Sequence, residues 1–277
     1  MRINHIDERT VNPMFTLSAC GGWFEGSAPD RIRAAHKYGF KAVEMLDWQS
    51  FDLPETRKAL DETGVRLSSI LAGSRDRVKH EITRNEHGLV WEDTGDVLVE
   101  ALKETLEVAK YLDITKIIVT SGNERPGLSR EEHKKILVEN LRRGAEVVKG
   151  TGVELVLEPL NVLVDHAGYF LVTTDESLEV LDRVGCPNEV KLLFDIYHQQ
   201  ISEGNVIRNL LRAMPVIGHI HVADNPGRKE PGTGELNYKN IFHAIDKAGY
   251  GEFVVFECGR TEPVETLCPK MLALAEE

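Results

Sequence analysis

Cysteine is scarce in this chain of 277 residues: there are four, Cys20, Cys186, Cys258 and Cys268. No two of them form a C-x-x-C pair. That excludes a zinc knuckle and a disulfide framework, and it fits a reduced compartment. Cys258 reads as a buried thiol on a strand. Long apolar runs are also missing. None approaches the ~20 residues of a membrane span, so no membrane partner is expected. The opening residues, Met1 to Asn12, are polar and lack the apolar stretch of a signal peptide, so a cytoplasmic location is expected. Positive charge is in deficit, with 33 Lys and Arg against 45 Asp and Glu and a formal net charge of -12. A broad nucleic-acid surface needs concentrated positive charge, so nucleic acid is not an expected partner. A small anion held by one or two arginines stays compatible with this balance. No G-x-G-x-x-G follows a strand, which disfavours an open dinucleotide-binding sheet. No linker or low-complexity break interrupts the chain, so one domain spanning residues 1–277 is expected, long enough for a substantial core.

What the sequence does contain is alternation. Apolar runs at 15–20, 41–46, 65–71, 116–120, 153–158, 190–195, 216–222 and 253–257 predict eight strands. Between and after them, helical spacing predicts helices at 29–38, 53–63, 96–112, 129–149, 174–184, 205–213, 238–248 and 263–275. Gly39, Gly64 and Gly249 stand as helix stops, and Ser129 with Glu132 reads as a capping box. The connection at 72–95 holds Arg75, Arg77, Lys79, His80, His87 and Trp91, and has the length of a lid or binding loop. Strands alternating with helices imply βαβ units and a parallel sheet. Eight of them in this length predict an α/β fold of the (β/α)8 TIM-barrel type, whose chemistry sits at the C-terminal strand ends.

Four predicted strand ends carry chemistry: Glu158, Asp195, His221 and Glu257. Three carboxylates converging in a dry barrel mouth repel one another unless a cation is present. The set therefore points to one divalent metal ion, with oxygen-rich ligation suited to Mn, Mg or Co and Zn also possible. His219 alternates with His221 on one strand face and reads as a packed or hydrogen-bonded inner histidine. His198, three residues after Asp195, can reach a substrate, and Arg228 in the turn-rich loop 224–235 can clamp a carboxylate. Glu44 and Asp52, taken singly, read as ordinary solvated acids.

The stretches Leu157-Glu158-Pro159-Leu160-Asn161, Phe194-Asp195-Ile196-Tyr197-His198-Gln199-Gln200 and Gly218-His219-Ile220-His221-Val222-Ala223 carry a resemblance. So do Pro226-Gly227-Arg228-Lys229-Glu230-Pro231 and Gly234-Glu235-Leu236-Asn237-Tyr238. Together they resemble the hydroxypyruvate isomerase family, within the xylose-isomerase-like TIM barrels of sugar isomerases and epimerases. The resemblance implies that Glu158, Asp195, His221 and Glu257 bind the metal and that Glu158 and Glu257 double as the proton-transfer pair. It also implies that His198 and Arg228 face the substrate. Two features depart from it. Hydroxypyruvate isomerases often carry Gln where this chain has His221, whereas ketose 3-epimerases carry His. The loop Val162-Leu163-Val164-Asp165-His166 also differs. Both departures bear on the substrate and leave barrel and metal in place.

The implied activity is isomerisation of an α-hydroxy carbonyl compound through an enediolate, with hydroxypyruvate or a related 2-oxo acid as the small-molecule substrate. A ketose 3-epimerase is the alternative, and both reactions need two carboxylates beside one enediolate. An endonuclease IV-like hydrolase fits less well, because that enzyme is richer in His and acts on DNA. A non-catalytic sugar-binding barrel fits less well because both candidate acid/base glutamates are present. A homo-oligomer, dimer or tetramer, is the expected assembly.

Overall fold

A computed structural model describes residues 14–84 and 87–275. The polar lead-in read from residues 1–13 lies outside the described residues. The sheet comprises β1 (Thr16–Cys20), β2 (Ala42–Glu44), β3 (Arg66–Leu67), β4 (Ile70–Leu71), β5 (Lys116–Thr120), β6 (Glu154–Glu158), β7 (Val190–Asp195), β8 (Ile217–Val222) and β9 (Phe253–Phe256). All pair in parallel, in the order β3-β2-β1-β9-β8-β7-β6-β5-β4. The two ends of that order, β3 and β4, are separated in the chain by Ser68 and Ser69 alone. They are halves of the third barrel strand, one bonded to β2 and the other to β5, and the sheet closes through them.

The continuous third strand expected at 65–71 is therefore split, and the split has a physical reason. Ser68 Oγ and Ser18 Oγ are hydrogen-bonded at 2.9 Å, and Ser69 Oγ donates to Glu44 at 2.5 Å. These hydroxyls are tied to neighbours inside the barrel, where the ladder is interrupted.

The helices are α1 (Ala28–Lys37), α2 (Leu53–Thr63), α3 (Arg77–Ile82), α4 (Thr94–Tyr111), α5 (Arg130–Val148), α6 (Thr174–Val184), α7 (Ile196–Ser202), α8 (Val206–Ala213), α9 (Tyr238–Lys247) and α10 (Val264–Ala273). The expected stops and caps appear where backbone chemistry demands them. Gly64 takes the left-handed conformation after α2, and Ser129 with Glu132 forms the capping box of α5. Two helices were not expected from periodicity. α3 lies within the 72–95 connection, and α7 starts directly after Asp195. Both are under two and a half turns long, too short to establish a 3.6-residue pattern.

Alternation along the strands separates two packing environments. Leu71, Ile118, Val156 and Leu193 cluster together inside the barrel. Their chain neighbours Ile117, Val119, Leu155, Leu157, Leu192 and Phe194 pack outward with helix residues such as Leu102 and Leu141. At a period of two, Thr120, Glu158 and Asp195 continue the inward face. Below the apolar layer, Lys116 Nζ bonds Glu154 at 2.5 Å and reaches Glu252 at 3.5 Å. The barrel thus has an ionic base, an apolar middle and an ionisable top.

Candidate active site

The ionisable top is built from the ends of four adjacent strands. Glu158 ends β6, Asp195 ends β7, His221 lies on β8 and Glu257 follows β9. One ligand atom from each falls within 4.8 Å of all the others. His221 Nδ1 stands 3.5 Å from Glu158 Oε1 and 3.4 Å from Glu257 Oε2. Glu158, Asp195 and His221 are buried, and Glu257 keeps part of its side chain open to the mouth. Asp195 is 1% exposed. Its Oδ1 also accepts from His198 N at 3.1 Å, capping α7.

The donor set fits a divalent cation. Among the described residues, Glu158 Oε1 and His221 Nδ1 are buried without a hydrogen-bond partner, and both face the cluster. Leaving such an atom unmet costs about 1–3 kcal/mol. A cation ligated by carboxylate oxygens and one imidazole nitrogen meets both. The electrostatics agree. Burial raises the Glu158 carboxyl, and repulsion from Glu257 and Asp195 adds to this against the pull of His221. Burial acts the same way on Glu257, but His221 and Arg228 outweigh it and hold that carboxyl well below its usual range. Burial disfavours a charged His221, yet Glu44, Glu257 and Glu158 raise it well above an ordinary histidine. The pocket thus favours positive charge at its centre.

Glu44, read from the sequence as an ordinary solvated acid, is instead a buried residue of the site. It ends β2, is buried, and its Oε1 accepts from His221 Nε2 at 3.0 Å and His219 Nε2 at 3.1 Å. Burial alone raises its carboxyl, but the charge of His221 and the hydrogen bonds from both imidazoles bring it down to about 2. With Nε2 engaged as a donor, His221 presents Nδ1 to the other three ligands. Glu44, His219 and His221 are themselves close enough to hold an ion. Their spacings are those of N–H···O hydrogen bonds, however, and we read them so. His219 is the packed, hydrogen-bonded inner histidine that the alternation implied. The available signal for Glu44 was its place at a strand end on the inward face, the same criterion that selected the other four.

His198 comes to the site on the first turn of α7. Its Nδ1 accepts from Asn161 Nδ2 at 2.7 Å and from Asn161 N at 3.3 Å. The proton therefore sits on Nε2, which lies 3.7 Å from Asp195 Oδ2 and has no hydrogen-bond partner. Asn161 was not singled out in the sequence, although it stands three residues beyond Glu158. Arg228 takes a left-handed backbone, with φ of 51°, and its guanidinium lies 5.3 Å from the centre of the Tyr197 ring. Its Nη2 donates to Glu257 Oε2 at 2.7 Å, so it is anchored to the cluster. Tyr169 Oη accepts from Ser121 N at 2.7 Å and donates to Glu158 O at 2.9 Å, fixing the end of β6.

The 72–95 connection is pinned to the rim at its far end. Val90 N donates to Ser121 O at 2.9 Å, and Trp91 Nε1 donates to Asn123 O at 3.1 Å. Gly122 makes this approach possible: a Cβ there would stand 2.1 Å from His87 O. A cavity of about 760 Å³ opens beside Glu44 and Glu257, bounded by the turns after β1 and β2.

A strand-end cluster on a closed eight-fold barrel can be compared directly with known proteins. The profile of the xylose isomerase-like TIM barrel matches residues 32–275. The chain belongs to this family. Hydroxypyruvate isomerase of Escherichia coli (strain K12) is 32% identical over 231 residues, covering 81% of this chain and 84% of that one. The 2-oxo-tetronate isomerase of Cupriavidus necator is 32% identical over 243 residues, covering 87% and 91%. A crystal structure of "AP endonuclease, family 2" from Brucella melitensis superposes with a TM-score of 0.80 at 26% identity, covering 92% of this chain and 96% of that one. Within the xylose isomerase-like TIM barrels, the chain is thus an enzyme of the sugar isomerase and epimerase group. Its buried Glu, Asp and His cluster is consistent with a divalent metal site. No helix among the described residues is long and apolar enough to cross a membrane.

Proposed function

We propose that the protein is a metal-dependent isomerase of small 2-oxo acids, acting through an enediolate on hydroxypyruvate or 2-oxo-tetronate. The observation that carries this reading is the cluster itself. Two glutamates, Glu158 and Glu257, lie on either side of the Asp195 and His221 strands, with all four ligand atoms within 4.8 Å. A divalent cation held there supplies charge stabilisation as the α-proton leaves.

The chain's own residues account for the rest. Glu158 and Glu257 are placed to take a proton from one carbon and return it to the next. With hydroxypyruvate, C3 loses a proton and its hydroxyl becomes a carbonyl. C2 gains a proton and its carbonyl becomes a hydroxyl, giving tartronate semialdehyde. The hydroxyl proton moves from O3 to O2, so no atom or electron is gained or lost. His198 Nε2–H is a fixed donor for a substrate oxygen. Arg228 offers the positive charge that a substrate carboxylate requires. The relatives named as hydroxypyruvate isomerase and 2-oxo-tetronate isomerase support this substrate class.

The resemblance also offers a second reading, since ketose 3-epimerases carry His where this chain has His221. In that case the proton returns to the opposite face of the carbon it left. Hydrolysis of DNA is not supported, since the net charge is -12. The test is a comparison of turnover on hydroxypyruvate, 2-oxo-tetronate and neutral ketoses, with Mn or Mg added to metal-stripped protein. An acid turned over best bears out the proposal. A neutral ketose epimerised faster than either acid rejects it in favour of the epimerase.

A further inference from the structure

The loop Val162-Leu163-Val164-Asp165-His166, one of the two departures from the hydroxypyruvate isomerase pattern, folds back onto the site. Asn161 holds it there. Asn161 Oδ1 accepts from Val164 N at 3.0 Å and from Asp165 N at 3.2 Å, and its carbonyl oxygen accepts from His166 N at 3.1 Å. Asn161 Nδ2 donates to Asp165 Oδ2 and to His198 Nδ1, each at 2.7 Å. The residue that fixes the His198 tautomer therefore also sets the path of the loop. Tyr169 N closes the turn by donating to His166 O at 3.0 Å.

This backbone path inverts the usual partition of side chains. Leu163 and Val164 are 73% and 68% exposed, while the His166 imidazole is half-buried, its ring centre 5.3 Å from that of His198. Apolar burial favours the opposite arrangement, so packing does not explain why the imidazole is the group drawn in. Among the described residues, no hydrogen bond engages either His166 ring nitrogen. Burial, then the proximity of His198 and Arg228, lowers its pKa below that of an ordinary histidine, against the pull of Asp165 and Glu257. A neutral imidazole keeps one N–H donor. Asp165, the carboxylate of the same loop, is occupied by Asn161 and Tyr197. Three donors thus stand together beside the metal cluster: the His166 N–H, the unpartnered His198 Nε2–H and the Arg228 guanidinium.

We infer that His166 is a substrate-contacting residue, and that its N–H joins His198 and Arg228 in binding the carboxylate of a 2-oxo acid. An ionised carboxylate offers about four acceptor positions on two oxygens, room for all three groups. Each of these bonds is charge-assisted with a carboxylate and loses that strength with the hydroxyl of a neutral ketose. His166 is therefore a residue that selects acids over neutral ketoses. The inference rests on the proposed 2-oxo-acid reading and adds to it a named discriminating residue.

Binding of unreactive analogues tests this without turnover. Calorimetry on the Mg-loaded protein compares glycerate with glyceramide, which replaces the carboxylate by an uncharged amide of the same size. Both lack the ketone that the reaction needs. The unsubstituted protein should prefer glycerate. His166→Ala should weaken glycerate at least fivefold, with a smaller change for glyceramide and no change in Mg affinity. His166→Asn or His166→Gln should restore glycerate binding, because their amide nitrogens stand near the Nδ1 and Nε2 positions of the ring. Leu163→Ala, on the outer side of the same loop, should leave both ligands unaffected. A smaller loss of glycerate affinity in His166→Ala would overturn the inference. So would an equal loss for both ligands, or a loss that neither amide restores, since a residue that only supports the loop gives those results. Failure of the acid reading shows separately, in the unsubstituted protein: glycerate bound no better than glyceramide would overturn both.

Discussion

The four residues of the cluster are ordinary amino acids whose roles are set by their surroundings. His221 depends on Glu44. Glu44→Gln keeps the volume and an acceptor oxygen but removes the charge and lets the amide flip. Affinity for Mn, read by calorimetry, should fall by about 10- to 100-fold, the usual effect of losing an outer-shell partner of a metal-bound histidine. Unchanged affinity would mean that packing alone orients the ring. Glu158 and Glu257 depend on their ionised state. Glu158→Gln and Glu257→Gln should each lower kcat by at least about 10²-fold while substrate binding persists. Near-normal turnover in both would move proton transfer elsewhere, with His198 the first candidate. The sequence displayed Glu158, Asp195 and Glu257 because each ends an apolar run, and His221 because it stands one residue before the end of its own. Glu44 ends one too, but its partners His219 and His221 are some 175 positions away in the chain, and nothing local marks the contact. Asn161 was hidden for the same reason: its partner, His198, comes from the next strand's helix.

At the scale of elements, the barrel places chemistry through register and caps. Asp195 is both the end of β7 and the cap of α7, so its substitutions separate two effects. Asp195→Asn retains a capping oxygen and should lose metal affinity with little change in thermal stability. Asp195→Ala loses the cap as well and should be less stable than Asp195→Asn by about 1 kcal/mol, read from denaturant unfolding. Equal stability of the two would show that the cap contributes nothing. All eight barrel strands were legible, because strands buried on both faces are apolar and bounded by Gly, Pro and polar turns. The split at Ser68 and Ser69 was not, since the hydroxyls that interrupt the ladder act through Ser18 and Glu44, distant in sequence. α7 was not legible either. Its start is set by Asp195 accepting from His198 N, a cap that sequence reading assigned wholly to chemistry.

For the whole molecule, closing the sheet is what converts four separated strand ends into one site. β9 is bonded to β1 and β8, β8 to β7, and β7 to β6, so residues a hundred positions apart share one mouth. Three carboxylates in so small a volume lead us to expect that activity depends on a cation. Removing divalent metal with a chelator should abolish turnover, and Mn, Mg or Co should restore it. Full activity in protein shown to be metal-free would reject the metal centre. The central claim, however, is proton transfer at carbon next to a carbonyl. Its most direct test is proton NMR of hydroxypyruvate and 2-oxo-tetronate incubated with the Mg-loaded protein in deuterium oxide. The account predicts enzyme-dependent loss of the α-carbon proton signal as deuterium enters, and its suppression in both Glu158→Gln and Glu257→Gln. A proton shielded from solvent passes between carbons without exchange, so deuterium entry and product formation are followed together. Neither exchange nor product from these acids and the neutral ketoses, with metal bound, would contradict the account.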